Sequence, residues 1–124
     1  MAVSLMLVDD DAVALRAIER LLLSRGHRIA TSTTSGAEAA ELARELRPEV
    51  VVTDLDMPGF DGVSTTRAVR ELGLDIPVIV YSGSVDQGAA ARCIDAGASG
   101  FVNKGVPISI LFLAIERAAA GSSA

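Results

Sequence analysis

Residues 4–26 read SLMLVDDDAVALRAIERLLLSRG, and the order of textures along them sets the fold. Leu5 to Val8 is apolar at every position, the mark of a strand covered on both faces and so of a parallel sheet. Asp9, Asp10 and Asp11 stop the run. Asp11 stands where an N-cap belongs, and residues 12–25 carry helical spacing up to Gly26, a C′ glycine. Strand, acidic turn, helix and glycine stop make one βα unit.

The unit repeats. Four more apolar runs follow: RIAT (28–31), EVVVT (49–53), PVIVY (77–81) and SGFVN (99–103). Ser35 heads a helical pattern over 36–46 that ends before Pro48, and Asp61 heads one over 62–72 that ends at Gly73. Asp86 heads 87–96, ending at Gly97, and Pro107 opens 108–120, closed by Gly121. Five βα units with short connections predict an α/β three-layer sandwich: a parallel five-stranded sheet, right-handed crossovers, helices on both faces. Residues 1–120 then form one domain, and GSSA (121–124) is a tail or the start of a linker.

Composition narrows the function. At 124 residues the chain can bury a core without staples. A net charge of −5 argues against a nucleic-acid surface, which needs clustered Lys and Arg. The one cysteine, Cys93, excludes an internal disulfide and fits a reducing compartment; inside the fourth helix it reads as a packing residue. No apolar stretch reaches spanning length and no signal-peptide start is present, so a cytoplasmic protein is predicted. His27, beside Arg25 and Arg28, reads as exposed and without a catalytic role. The groups Glu41/Arg44/Glu45 and Arg67/Arg70/Glu71 read as solvated helix faces.

In parallel sheets ligands gather at the carboxyl ends of the strands. There the chain places Asp9 and Asp10 after the first strand and Asp54 after the third, in TDLDMPGFDG (53–62). Ser82 falls just past the fourth, in YSGS (81–84), and Lys104 just past the fifth, in NKG (103–105). Carboxylates this close repel and lose hydration at a core edge, unless a cation sits among them. Hard oxygen donors suit Mg²⁺. With Mg²⁺, Lys104 and the Ser82 hydroxyl around the equatorial oxygens of a phosphoryl group in transfer, an ionised Asp54 is a competent nucleophile toward phosphorus. Singly, each feature is bland: three acids after a strand usually cap a helix, a lone Lys usually snorkels, and Phe101 alone is ordinary core. Their convergence at one sheet edge is what points to chemistry.

The pieces LVDD (7–10), DLDMPGFDG (54–62), PVIVYSG (77–83), AGASGF (96–101) and NK (103–104) make the chain resemble, over essentially its whole length, the receiver domain of two-component response regulators. The resemblance implies a flavodoxin-like fold with strand order 2-1-3-4-5. It implies that Asp54 accepts a phosphoryl group from the phosphohistidine of a sensor histidine kinase or phosphotransfer protein. Asp10, Asp54 and the backbone carbonyl of Asp56 would bind Mg²⁺, with Asp9 acting through water. Ser82 and Phe101 would form a coupled switch that alters the surface of the fourth helix, fifth strand and fifth helix. Asp56 and Ser84 would flank the water that removes the phosphoryl group. Such a domain catalyses only its own phosphorylation and dephosphorylation and is no enzyme toward other substrates.

Three departures from the family pattern stand out. Ser82 replaces a frequent Thr, and Phe101 a frequent Tyr, which favours an inward ring even before phosphorylation. Gly105 follows Lys104 where many receivers have Pro in a cis peptide; before a non-proline, cis costs about 3 kcal/mol. NKGVPISILFLAIERAAAG (103–121) is similar to regulators of the NarL/FixJ kind, which carry a C-terminal helix-turn-helix, so an output domain controlling transcription is implied beyond this chain. On a helical wheel from Pro107, Ile108, Leu111, Ala114, Ile115 and Ala118 face the sheet. Leu113 then points away, with Ile110 and Phe112 on its flanks, and a helix apolar all round predicts docking on a second copy or another domain.

Other classes fit less well. VVVTDLD (50–56) matches the start of haloacid dehalogenase-like phosphatases, with Asp54 as nucleophile and Asp56 as general acid, but no later acidic pair completes that metal site. TSTTSG (31–36) resembles a flavin-phosphate loop, yet it follows the second strand and aromatics to stack a flavin are scarce. A receiver that never takes phosphate would not need all of Asp9, Asp10, Asp54, Ser82 and Lys104.

Overall fold

The computed structural model of the chain describes residues 2–83 and 86–121. Within them the order is β1 (Ser4–Val8), α1 (Ala12–Ser24), β2 (Arg28–Thr33), α2 (Gly36–Leu46) and β3 (Val50–Thr53). There follow α3 (Gly62–Glu71), β4 (Val78–Ser82), α4 (Gln87–Asp95), β5 (Gly100–Asn103) and α5 (Ile108–Ala119). The strands lie in the order β2-β1-β3-β4-β5, and every pairing is parallel. The expected doubly covered sheet is what forms.

Strand alternation explains why β1 is apolar from Leu5 to Val8 and β3 from Val50 to Val52. Leu5, Leu7, Val50 and Val52 point into a core closed by Leu15 and Leu22 of α1 and Leu111 and Ile115 of α5. Met6, Val8 and Val51 point the other way, against Ala39 and Ala43 of α2 and Val69 of α3. Each strand feeds two cores, so the positions between its ends, Leu5–Val8 and Val50–Val52, are all apolar.

Among the described residues three helices end alike. After α1, the Gly26 N–H bonds the Leu23 carbonyl at 3.0 Å and the His27 N–H bonds the Leu22 carbonyl at 3.1 Å. Gly26 reaches φ +93, which a side chain would resist. The same paired bonds close α3 at Gly73 and Leu74, and α4 at Gly97 and Ala98. Arg47 ends α2 at φ 50 without glycine, because Pro48 bars the right-handed helical region to the residue before it.

The structure corrects four expectations. β2 runs to Thr33, two residues beyond RIAT, because an edge strand needs bonds on one side only and tolerates Ser32 and Thr33. β4 includes Ser82, which pairs with Asn103 and is a strand residue, not one past the tip. His27 is buried, at 3% exposure. It follows the C′ glycine of α1, where the chain turns back onto the helix it has just left, so flanking arginines misreport its place. Its Nδ1 accepts the Val3 N–H at 3.1 Å, and its Nε2 faces Glu116 Oε2 at 3.6 Å. Arg70 belongs to no solvated face: its guanidinium donates to the carbonyls of Leu74, Ile76 and Gly97 at 2.9, 2.7 and 3.0 Å. That clamp ties the C-terminus of α3 to the turns before β4 and β5.

Among the described residues no helix is long and apolar enough to cross a membrane. Cys93 is buried between α4 and the sheet, where burial raises its thiol pKa, in keeping with a packing role.

Candidate functional site

Register builds the site. Val8 and Thr53 are partners at the ends of adjacent β1 and β3, so the residues that follow them are neighbours. The Asp54 N–H bonds the Val8 carbonyl at 2.8 Å, fixing the strand ends together. Carboxylate oxygens of Asp9, Asp10 and Asp54 consequently lie within 4.8 Å of one another. Asp9 is buried, Asp10 exposed and Asp54 half-buried. Asp11 stands outside this cluster, its Oδ1 accepting the Val13 and Ala14 N–H groups at 2.9 and 3.3 Å as the N-cap of α1.

Strand β5 delivers the counter-charge. The Lys104 N–H bonds the Ser82 carbonyl at 2.7 Å, and Nζ stands 3.5 Å from Asp9 Oδ2 and 3.6 Å from Asp54 Oδ1. Asp9 Oδ1 accepts the Asp11 N–H, and Asp54 Oδ1 accepts the Leu55 N–H, both at 2.9 Å. Burial raises the pKa of Asp54 above the usual carboxylate value. Lys104 opposes that shift, Asp9 adds to it, the Leu55 N–H opposes it, and Asp56 adds to it.

Helix α3 begins hard against this strand end. A Cβ on Gly62 would come within 2.5 Å of the Asp54 carbonyl oxygen, so only glycine lets α3 start so near the acidic cluster. Asp61 holds that start by accepting the Ser64 N–H at 2.8 Å.

The remaining predicted residues fall nearby. Ser82 is fully buried at the end of β4, on the same side of the sheet as Val80. Phe101 is partly buried, packed against the cluster of Leu55, Val80, Ala89, Cys93 and Ala98. Asp56 is exposed, in the turn that leaves Asp54. Ser84 lies outside the described residues. All described peptide bonds are trans, Lys104–Gly105 included, and the Gly105 N–H bonds Asn103 Oδ1 at 2.7 Å. One contact was not anticipated: Lys104 Nζ lies 5.5 Å from the centre of the Tyr81 ring. The available signal was an aromatic residue on the strand beside the one that ends in Lys104.

Chemically, three hard carboxylates at one edge suit a divalent cation with retained water ligands. An ammonium shared by two of them leaves room for an incoming anion to recruit it. Phosphoryl transfer needs both features and little else from a protein.

A family model described as the response regulator receiver domain matches residues 5–116. The DNA-binding transcriptional activator EvgA of Escherichia coli K12 is 32% identical over 115 residues, covering 93% of this chain and 56% of that protein. The chain therefore spans just over half the length of that relative. A two-component response regulator of the LuxR family from Aurantimonas sp. SI85-9A1 superposes with a TM-score of 0.93 at 32% identity, over 98% of this chain and 88% of that one. The receiver domain of the sensor histidine kinase PA1611 from Pseudomonas aeruginosa PAO1 superposes with a TM-score of 0.83 at 27% identity, over 97% and 99%, and is described with magnesium coordinated in its active-site cleft. These likenesses leave the phosphatase reading of Asp54 and Asp56 without support.

Proposed function

Because this chain belongs to the response regulator receiver domain family, we propose that it takes a phosphoryl group onto Asp54 from a phosphohistidine of a histidine kinase or phosphotransfer protein. The carrying observation is the placement of Lys104 Nζ between Asp9 and Asp54 at the rim of a three-carboxylate cluster.

The chain's own groups divide the work. Among the described residues the Leu55 N–H and Lys104 both address Oδ1 of Asp54, which leaves Oδ2 as the attacking oxygen. The Oδ2–P bond forms as the donor's P–N bond breaks, and the electron pair leaves with the imidazole nitrogen. Lys104 and the Ser82 hydroxyl then meet the phosphoryl oxygens. Asp9, Asp10, Asp54 and the Asp56 carbonyl would hold Mg²⁺, which supplies charge neutralisation for the approach of an anion to a carboxylate. Asp56, exposed in the turn after Asp54, flanks the approach of the hydrolytic water.

Ser82 and Phe101 act as the switch, shifting the surface of α4, β5 and α5. Ile110 and Leu113, 46% and 44% exposed, line a groove of about 200 Å³ beside Phe101 and are the docking face for a second copy. The name of the E. coli relative supports control of transcription as the output. A histidine kinase or phosphotransfer partner supports a cytoplasmic setting. Acting on itself alone, the domain does not turn over other phosphoesters.

Incubation with acetyl phosphate, with and without Mg²⁺, followed by intact mass, tests the reading. One phosphoryl adduct that needs Mg²⁺ and vanishes in Asp54→Ala is expected. Continuous phosphate release from p-nitrophenyl phosphate would overturn it.

A further inference from the structure

Tyr81 lies on the face of β4 opposite Ser82. Ile79 and Tyr81 pack with the core under α1 and α5, whereas Val80 packs under α4. Tyr81 pairs with Val102 of β5, and side-chain alternation returns to that same face at Lys104, two residues on. The register thus brings ring and ammonium together, 5.5 Å from Nζ to ring centre.

At that distance an aromatic face attracts a cation through its quadrupole. Among the described residues the Lys104 ammonium consequently has three partners: Asp9 Oδ2, Asp54 Oδ1 and the Tyr81 ring. Its side chain is 34% exposed, so on a flexible four-carbon stem it has open alternatives facing solvent. The two carboxylates cannot by themselves fix it, because both lose claim on it once a cation binds among them. The ring face keeps its hold whatever the charge of the acidic cluster, since it is packed on the core and attracts the cation through its quadrupole.

We propose that Tyr81 is a positioning residue for Lys104, its ring face holding the ammonium at the rim of the acidic cluster, ready for a phosphoryl oxygen. The inference rests on Asp54 being the phosphoacceptor. The ring touches no reacting atom; it narrows the places Lys104 can be when the anion arrives. The ring face matters and the phenol does not.

Two substitutions and one spectroscopic signature test this. In the Mg²⁺-free, unphosphorylated chain, the Lys104 ε-methylene proton resonances are shifted upfield by the ring in wild type and in Tyr81→Phe, and return to the ordinary lysine position in Tyr81→Leu. With acetyl phosphate at saturating Mg²⁺, Tyr81→Phe phosphorylates at the wild-type rate and Tyr81→Leu about threefold more slowly, the scale of one partly exposed cation–ring contact. In a Lys104→Ala background Tyr81→Leu costs nothing further, because the ring acts only through the lysine. An unshifted Lys104 resonance in wild type overturns the inference. So does a Tyr81→Phe variant as slow as Tyr81→Leu, or a Tyr81→Leu loss that persists without Lys104. Should Tyr81→Leu fail to fold, Tyr81→Met, closer in length to the ring, takes its place. A wild-type chain that takes no phosphate sinks the phosphoacceptor reading instead, and the resonance shift still judges the ring.

Discussion

Lys104 Nζ stands 3.6 Å from Asp54 Oδ1, near enough to attract it and too far for a settled hydrogen bond. On the proposed reading such a pair is poised: the ammonium offsets the charge of the carboxylate proposed to attack, yet can be drawn away by three phosphoryl oxygens. The same ammonium competes with any cation for Asp9 and Asp54.

Removing the ammonium therefore has opposite effects on two steps. Lys104→Ala is expected to tighten Mg²⁺ binding, read by isothermal titration. It slows phosphorylation by acetyl phosphate by about 100-fold, the scale of losing one preorganised charge donor. Weaker Mg²⁺ binding with an unchanged phosphorylation rate would place the lysine outside the site.

Asp54 is expected to make the apo domain less stable at neutral pH. Its folded pKa is raised above the ordinary 3.8, chiefly by burial. In the window between the two values the folded chain holds the extra proton, so stability falls as pH rises through it and stays lowered above. Asp54→Asn is thus expected to melt a few degrees higher than wild type in chelator at pH 7, with the margin shrinking toward pH 3.8. Mg²⁺ raises the wild-type Tm more than that of the variant. Thermal denaturation at the two pH values, with and without Mg²⁺, checks both points.

His27 gives a second pH dependence, of opposite sign. Burial lowers its pKa below the ordinary 6.5, while Glu116 opposes and Arg25 reinforces that shift. Below 6.5 the unfolded chain takes the proton first, so stability is full above that pH and declines as pH falls toward the lower folded value. His27→Leu removes this decline. It also leaves the Val3 N–H without its acceptor, a loss of about 1–3 kcal/mol for a buried donor. Urea midpoints at pH 7.5 and 5.5 for both chains test the pair of effects.

The exposed side of α5 is a separable matter. If Ile110 and Leu113 seat a second copy, the double change Ile110→Glu, Leu113→Glu leaves a monomer in light scattering where phosphorylated wild type is a dimer. Phosphorylation of the variant proceeds at the wild-type rate, because neither residue belongs to the acidic cluster. A wild type that stays monomeric when phosphorylated removes the proposal.

Strand-end chemistry was legible in the sequence because apolar strands of a parallel sheet announce themselves and the first charged residue after each apolar run lies at the tip. Asp9, Asp10, Asp54 and Lys104 follow from that rule, and the register of β1 with β3 does the rest. His27 was misread because its neighbours are charged while its position is set by the turn after Gly26. Arg70 was misread because helix spacing cannot reveal that three carbonyls from later turns converge on it. Tyr81 was passed over since a mostly apolar run shows which residues are buried and not which of two faces each one serves. Long-range partners of single side chains were the illegible part; the sheet edge was not.

Treatment with acetyl phosphate and Mg²⁺, then borohydride reduction and peptide mapping, tests most directly whether the carboxylate cluster makes an acceptor of one aspartate. Reduction of an acyl phosphate leaves homoserine, and it is expected at position 54 alone, only when Mg²⁺ was present. Homoserine at position 9 or 10, or none anywhere while the chain is folded and Mg²⁺ is bound, would contradict the assignment of Asp54.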